Sequence, residues 1–224
     1  MSLGVEAKPS SWDSDLFGYR VGLLDVQDIP SIEAIAEANR TRFDVVFVKS
    51  RSWVEPCSGV VAVDHLYDME IRLDQGEEYH SARPVTLFSP RSKHFELART
   101  AFHDSRFFRD PKLISRTSEL YVRWISNRQV WTLDKAPDDG FLLTEVDEDG
   151  AGRIALVAVN EQCRRKGTGR LLMISAVAKS KLEIWRVKVS VRNYRAVRCY
   201  ETLGFLVKSV ETAFHVWTNE REGF

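Results

Sequence analysis

The chain has 224 residues, 44% of them hydrophobic, and its 32 basic side chains balance 32 acidic ones. That is enough apolar material for one large domain or two small ones, with no net charge to attract a nucleic acid and no apolar run long enough to span a bilayer. The three cysteines, Cys57, Cys163 and Cys199, are odd in number and widely spaced, which fits unpaired thiols in a reducing cytoplasm. No charged-then-apolar leader opens the chain, and no Cys/His cluster has metal-ligand spacing, so no metal is expected.

Met1-Ser2-Leu3 is left outside the fold as a leader. Trp12-Asp13-Ser14-Asp15-Leu16-Phe17-Gly18 reads as polar punctuation around two aromatics. Arg20 to Val26 reads as a strand. Pro30 suits a first helical position, and Ile32, Ile35, Ala36 and Asn39 then share one helical face. Asp44 to Lys49 is a second strand with a continuous apolar run, as if buried on both faces. Val60 to Val63 and Tyr67 to Leu73 read as two further strands, the second alternating Met69, Ile71 and Leu73 with Asp68, Glu70 and Arg72. Polar Asp74 to Ala82 reads as a linker. The expected domains are therefore an N-terminal α/β lobe over 1–82 and a second domain over 83–224.

Val85 to Phe88 is a short strand. Ser89 as N-cap and Pro90 in the first turn predict a helix, with Phe95, Ala98 and Phe102 toward the core. His103 to Pro111 is a connection, unusual for its mix of aromatics and charges. A second helix carries Leu120, Tyr121, Trp124 and Ile125 on its apolar face. Val130–Leu133 and Phe141–Val146 read as antiparallel strands, and a turn at Asp147–Gly150 leads into the strand at Ile154–Val159.

That strand runs into Arg164-Arg165-Lys166-Gly167-Thr168-Gly169-Arg170 and then an apolar helix opening with Leu171-Leu172. A strand, a Gly-rich turn and a helix N-terminus can bind an anion, because the first free N–H groups and the helix dipole point at it. Gly167 and Gly169 allow the backbone close to a phosphate. A solvated basic turn is the alternative. Downstream, after a strand-like run at Val187–Val191, Asn193 caps a helix holding Ala196, Cys199 and Tyr200, which Leu203-Gly204-Phe205 ends.

These two stretches, in this order and spacing, resemble the GNAT family, the Gcn5-related N-acetyltransferases, over about residues 140–217. Arg164, Gly167 and Gly169 match its acetyl-CoA motif; Asn193, Ala196, Tyr200 and Leu203-Gly204-Phe205 match the next one. The resemblance implies an α/β (α+β) GNAT fold whose mixed central sheet is splayed between its fourth and fifth strands, here Ile154–Val159 and Val187–Val191. It implies acetyl-CoA as donor, with its pyrophosphate on Arg164, Arg165, Lys166, Gly167, Thr168, Gly169 and Arg170. The pantetheine arm would lie along Val157, Ala158 and Val159, with Asn193 and Cys199 beside the cofactor. Tyr200 would be the general acid that protonates the departing thiolate, since a phenol stays protonated at neutral pH; a core tyrosine bonded to a backbone carbonyl is the alternative. Glu145, Asp68 and Glu70 are candidate bases.

Ala101-Phe102 with Ser105-Arg106-Phe107, and Trp12 with Phe17-Gly18, are similar to a narrower group, the nucleotide-sugar acetyltransferases typified by TDP-fucosamine acetyltransferase. That similarity implies an amino-dideoxy sugar as acceptor, with Ser105, Arg106, Phe107 and Asp68 in its site. Arg106 and Arg109 suit a pyrophosphate. Another small-molecule or peptide amine, or a non-catalytic acyl-CoA-binding module, are the rival readings. A homodimer is expected from the family; no nucleic-acid or membrane partner is. The final apolar strand, Thr212 to Trp217, is either an interface edge or an ordinary buried strand. None of the five histidines forms a pattern.

Overall fold

The computed structural model describes residues 5–28, 31–52, 60–73 and 83–219. The proposed leader at Met1–Leu3, the Pro30 helix start, Cys57 and the expected linker at 74–82 lie outside the described residues.

One mixed sheet of ten strands runs through the described chain. In chain order the strands are β1 (Lys8–Pro9), β2 (Val21–Val26), β3 (Val45–Ser50), β4 (Val60–Arg72), β5 (Val85–Phe88), β6 (Val130–Leu133), β7 (Gly140–Val146), β8 (Gly152–Val159), β9 (Ile184–Ser190) and β10 (Leu206–Trp217). Their order across the sheet is β1-β2-β3-β10-β4-β9-β8-β7-β6-β5. The helices are α1 (Ser11–Phe17), α2 (Ile32–Asn39), α3 (Ser92–Ala101), α4 (Arg106–Arg109), α5 (Ile114–Ser126), α6 (Thr168–Ser180) and α7 (Tyr194–Thr202).

Strand alternation splits the core into two layers. Phe47, Phe141, Leu143 and Leu156 point to the layer covered by α1, α3 and α5. Leu142, Ile154, Val187 and Met69 point to the layer covered by α6 and α7. Val46, Val48 and Phe214 continue that second layer beneath α2. The helices thus stand on both faces, and each strand buries alternate residues against a different set.

Several sequence expectations need correction. Trp12–Phe17 is a helix, not punctuation: Ser10 caps it by accepting from Asp13 N–H, and Gly18, at φ 75°, ends it. Val60–Val63 and Tyr67–Leu73 are one strand, because the polar Asp64-His65 pair lies inside it and a bulge at Ala62, φ 56°, re-aims the backbone. The helix expected at Ser89-Pro90 starts at Ser92, after Arg91 as its N-cap. The 103–111 connection contains α4. Thr212–Trp217 is no interface edge: β3 pairs with one side of it and β4 with the other.

Candidate active site

Strands β8 and β9 run parallel but pair only from Gly152 with Trp185 to Ile154 with Val187. Beyond that they part. The cause lies in β8: its register against β7 slips between Leu143 and Thr144, so that Ala155 is an extra residue, a bulge that bends its strand away. From Ala155 to Val159, β8 has a partner on its β7 side alone. Val157, Ala158 and Val159, expected to carry the pantetheine arm, therefore lie on an open strand edge with backbone N–H and C=O groups facing the gap.

The loop after β8 leads to the N-terminus of α6. Gly167 is its N-cap, at φ 82°, and no side chain caps the helix. The first N–H groups of α6 are left for an anion. Arg164 Nε donates to Val159 O at 3.1 Å, and Thr168 Oγ1 donates to Cys163 O at 3.1 Å. These two bonds hold the loop against the end of β8. Arg165, at φ 61°, adopts the left-handed conformation, and its side chain and that of Lys166 are exposed. A Cβ on Gly169 would meet Val159 Cγ2 at 3.3 Å, so a side chain there would crowd the strand end. The cluster fits a pyrophosphate in charge, free donors and backbone access.

Asn193 accepts from Ala196 N–H at 3.2 Å and starts α7. Gly204, at φ 91°, ends it, with Phe205 N–H returning to Tyr200 O at 3.0 Å. Tyr200 is buried against Phe205, ring centroids 5.7 Å apart, in the layer below Val187 and Val189. Burial pushes its hydroxyl well above the ordinary phenol value. No described residue hydrogen-bonds that hydroxyl, so it does not serve a backbone carbonyl. Cys199, half-buried beside it, has its thiol pushed up by burial.

These features match known proteins. Residues 119–207 match the family model of the acetyltransferase (GNAT) domain. Residues 119–207 carry the GNAT acetyltransferase domain pattern. A GNAT-family protein of Novosphingobium aromaticivorans is 16% identical, with a TM-score of 0.53 over 83% of this chain and 79% of its own. The GCN5-related N-acetyltransferase of Kribbella flavida is 13% identical, with a TM-score of 0.52 over 95% and 91%. A conserved Staphylococcus epidermidis protein of unknown function is 10% identical, with a TM-score of 0.58 over 96% of each chain. Identities this low speak to the fold. No curated protein matches the chain. The GNAT domain makes this chain an acetyltransferase, and acetyl-CoA is its acetyl donor.

On the opposite face of the sheet from Tyr200, the splay of the GNAT domain opens beside a band of charge. Paired residues share a face: Lys49, Ala213 and Asp64 form one row, Glu211, Leu66 and Ser190 the next, Ser209, Asp68 and Lys188 the third. Ser190 Oγ donates to Asp64 Oδ1 at 2.7 Å, and Lys188 Nζ donates to Glu211 Oε2 at 2.7 Å. Helix α4 lies over this band. Arg109 Nη2 is 3.3 Å from Asp64 Oδ2. The Arg106 guanidinium lies 4.3 Å from the centre of the Phe107 ring and meets no carboxylate within 4 Å among the described residues. Burial pushes Arg106 below its ordinary value.

Among the described residues, eight side-chain polar atoms are sealed from solvent without a hydrogen-bond partner. Six of them lie here: Ser105 Oγ, Arg106 Nε, Arg109 Nε and Nη2, Glu211 Oε1 and His215 Nε2. Such atoms are rare in native folds and mark a place built for a ligand or another polar partner.

Of the residues expected to meet the acceptor, Ser105, Arg106 and Asp68 border this band. Phe107 packs instead among Phe17, Phe47 and His215, with ring centroids 5.7, 5.5 and 5.4 Å away, and forms the floor under Arg106. Among the candidate bases, Glu145 pairs with Arg128 at 3.3 Å and stands opposite Arg153, where β8 and β9 are still joined. Glu70 accepts from Arg186 Nε at 3.0 Å. Among the described residues Asp68 has no ion pair or hydrogen bond, and it stands level with Lys188, the first residue of the splayed part of β9. The sequence did not single out Asp64, Lys188, Ser190, Glu211 or His215. The one local signal was the polar pair Asp64-His65 inside an apolar run.

Among the described residues no His, Cys, Asp and Glu group could hold a metal. No described helix is long and apolar enough to cross a membrane. Cys163 and Cys199 are free thiols.

Proposed function

We propose that this GNAT acetyltransferase moves the acetyl group directly to the amine of a nucleotide-linked, TDP-type amino-dideoxy sugar. One observation carries the acceptor assignment: the cationic α4, with Arg106 meeting no carboxylate among the described residues and with sealed N–H donors that have no partner there, lies beside the splay. A half-buried guanidinium whose Nε is sealed without a partner is costly, and a diphosphate would satisfy it with the bidentate geometry that arginine favours.

Acetyl-CoA supplies an activated thioester. The chain's own groups do the rest. The 164–170 loop holds the donor's pyrophosphate, and the open edge of β8 fixes the pantetheine arm. A free N–H on that edge is placed to polarise the thioester carbonyl. The α4 arginines hold the acceptor on the other face, and bringing both reactants to one gap removes the entropy of their encounter. Asp68, without a partner among the described residues and level with the gap, faces the incoming amine. Tyr200 stays protonated because burial disfavours the phenolate, and it donates that proton to the leaving sulfur.

The test is thiol release from acetyl-CoA against TDP- and UDP-linked amino sugars, with polyamines and peptides alongside. Turnover is expected with a nucleotide sugar, and Arg106→Ala should raise the acceptor KM while leaving acetyl-CoA affinity unchanged. Release with a polyamine or peptide alone would move the acceptor to that class.

A further inference from the structure

Acetyl transfer makes no use of one buried carboxylate–imidazole pair. Asp110, at the C-terminal end of α4, and His215, near the C-terminal end of β10, are both fully buried. His215 Nδ1 donates to Asp110 Oδ2 at 2.7 Å, and Trp217 Nε1 donates to the same oxygen at 3.2 Å. Lys112 N–H donates to Asp110 Oδ1 at 3.0 Å. The His215 ring lies against Phe47, centroids 4.3 Å apart, and against Phe107.

A pair of this kind is a poor way to gain stability. Burying the carboxylate costs solvation that its partners only repay, and well-packed apolar side chains of the same volume do as well. What the pair does supply is a fixed geometry. With four residues, α4 is too short to hold itself, and Ser105 makes no side-chain cap bond. On one flank it is held by Phe107 in the aromatic cluster and by Thr117 Oγ1 donating to Phe107 O at 3.1 Å. Its exit is held by Asp110. Arg106 and Arg109 are three residues apart and so share a side of the helix.

We propose that the Asp110–His215 pair is a strut that positions α4, so that Arg106 and Arg109 present an anion subsite at the acceptor side of the splay. The inference rests on the acceptor reading above and names positioning residues for it. The ligand chemistry is a phosphate or diphosphate, and the strut acts only through the arginines.

The probe is inorganic pyrophosphate, titrated calorimetrically into protein already saturated with CoA, so that the 164–170 loop is filled. Wild type should bind it, and Arg106→Ala should weaken it about tenfold or more. Asp110→Asn places an amide N–H where three donors converge, and should weaken pyrophosphate by a similar factor. CoA affinity, read at the opposite face, should not change and reports an intact fold. In an Arg106→Ala/Arg109→Ala background, Asp110→Asn should have no further effect. His215→Asn, which keeps an N–H donor near the Nδ1 position, should bind within about twofold of wild type, and it remains informative if Asp110→Asn does not fold. Loss of pyrophosphate binding in His215→Asn with CoA binding intact would overturn the strut. So would an unchanged Asp110→Asn when Arg106→Ala is impaired, and that outcome leaves the acceptor reading standing. Pyrophosphate binding that ignores Arg106→Ala, or its absence in wild type, would overturn both.

Discussion

His215 should make the stability of this protein depend on pH in a defined window. The side chain is fully buried, and burial pushes its pKa from 6.5 down to about 4, against the pull of Asp110. The groups facing it are Asp110, Arg106 and Arg109, with Phe47 and Phe107 on the ring. In the unfolded chain the imidazole takes a proton near pH 6.5; in the folded one it stays neutral until about 4. Between those values the unfolded state binds more protons, so stability is fully present above pH 6.5 and falls as pH falls toward 4. At about 1.4 kcal/mol per unit, the loss is about 2 kcal/mol by pH 5 and about 3 kcal/mol at completion. Asp110 is held below its ordinary value through its bond to His215; its own contribution disappears only below the usual carboxylate range and does not offset this loss. The assay is urea unfolding followed by tryptophan fluorescence at pH 5, 6, 7 and 8, in wild type and His215→Gln. The gap between the two should narrow by about 2 kcal/mol from pH 8 to pH 5. A gap constant with pH would refute the argument, since His215 would then not be held neutral in the folded state.

Three further outcomes are expected. Tyr200→Phe should lower kcat by about 10²-fold or more and leave acetyl-CoA affinity within about twofold, measured by steady-state kinetics and calorimetry; full activity would remove Tyr200 from the chemistry. Gly152→Ala should lower stability by about 1–3 kcal/mol, because its Cβ would come 2.7 Å from the buried Trp185 ring; an unchanged thermal midpoint would mean that the ring moves aside freely. Glu145→Gln should keep kcat/KM within about twofold, since Glu145 faces Arg153 at the joined end of β8 and β9; a loss of the size that removing a general base causes, about 10²-fold or more, would restore it to the mechanism.

The elements of the proposed cofactor side were legible in sequence because they are local. The 164–170 loop follows its strand directly, and Asn193, Tyr200 and Gly204 lie within one helix and its caps, so the strand, loop and helix could be read in order, while the roles proposed for them came from the family resemblance. The acceptor side is not local. Asp64 meets Ser190 across 126 residues, and Asp110 meets His215 across 105. No periodicity reports such pairs. The same residues also misled the secondary-structure reading. Asp64 and His65 looked like a break between two strands because they are polar; Asp64 faces α4, and His65, on the other face, meets Thr212 Oγ1 at 3.1 Å. Helix α1 was missed for a different reason: only Leu16 and Phe17 are buried in it, too few to show a helical period.

The place of β10 has a consequence for how the molecule assembles. Strands β3 and β4 do not pair with each other; each pairs with β10. Before residues 206–217 join, the chain holds two part-sheets with facing open edges, one ending at β3 and one at β4. Open edges of this kind recruit other strands, and pairings this distant in sequence form slowly. Removing the β10 segment would therefore leave two unjoined halves exposed to aggregation rather than a smaller enzyme, and the charged band, which spans β3, β10, β4 and β9, would come apart.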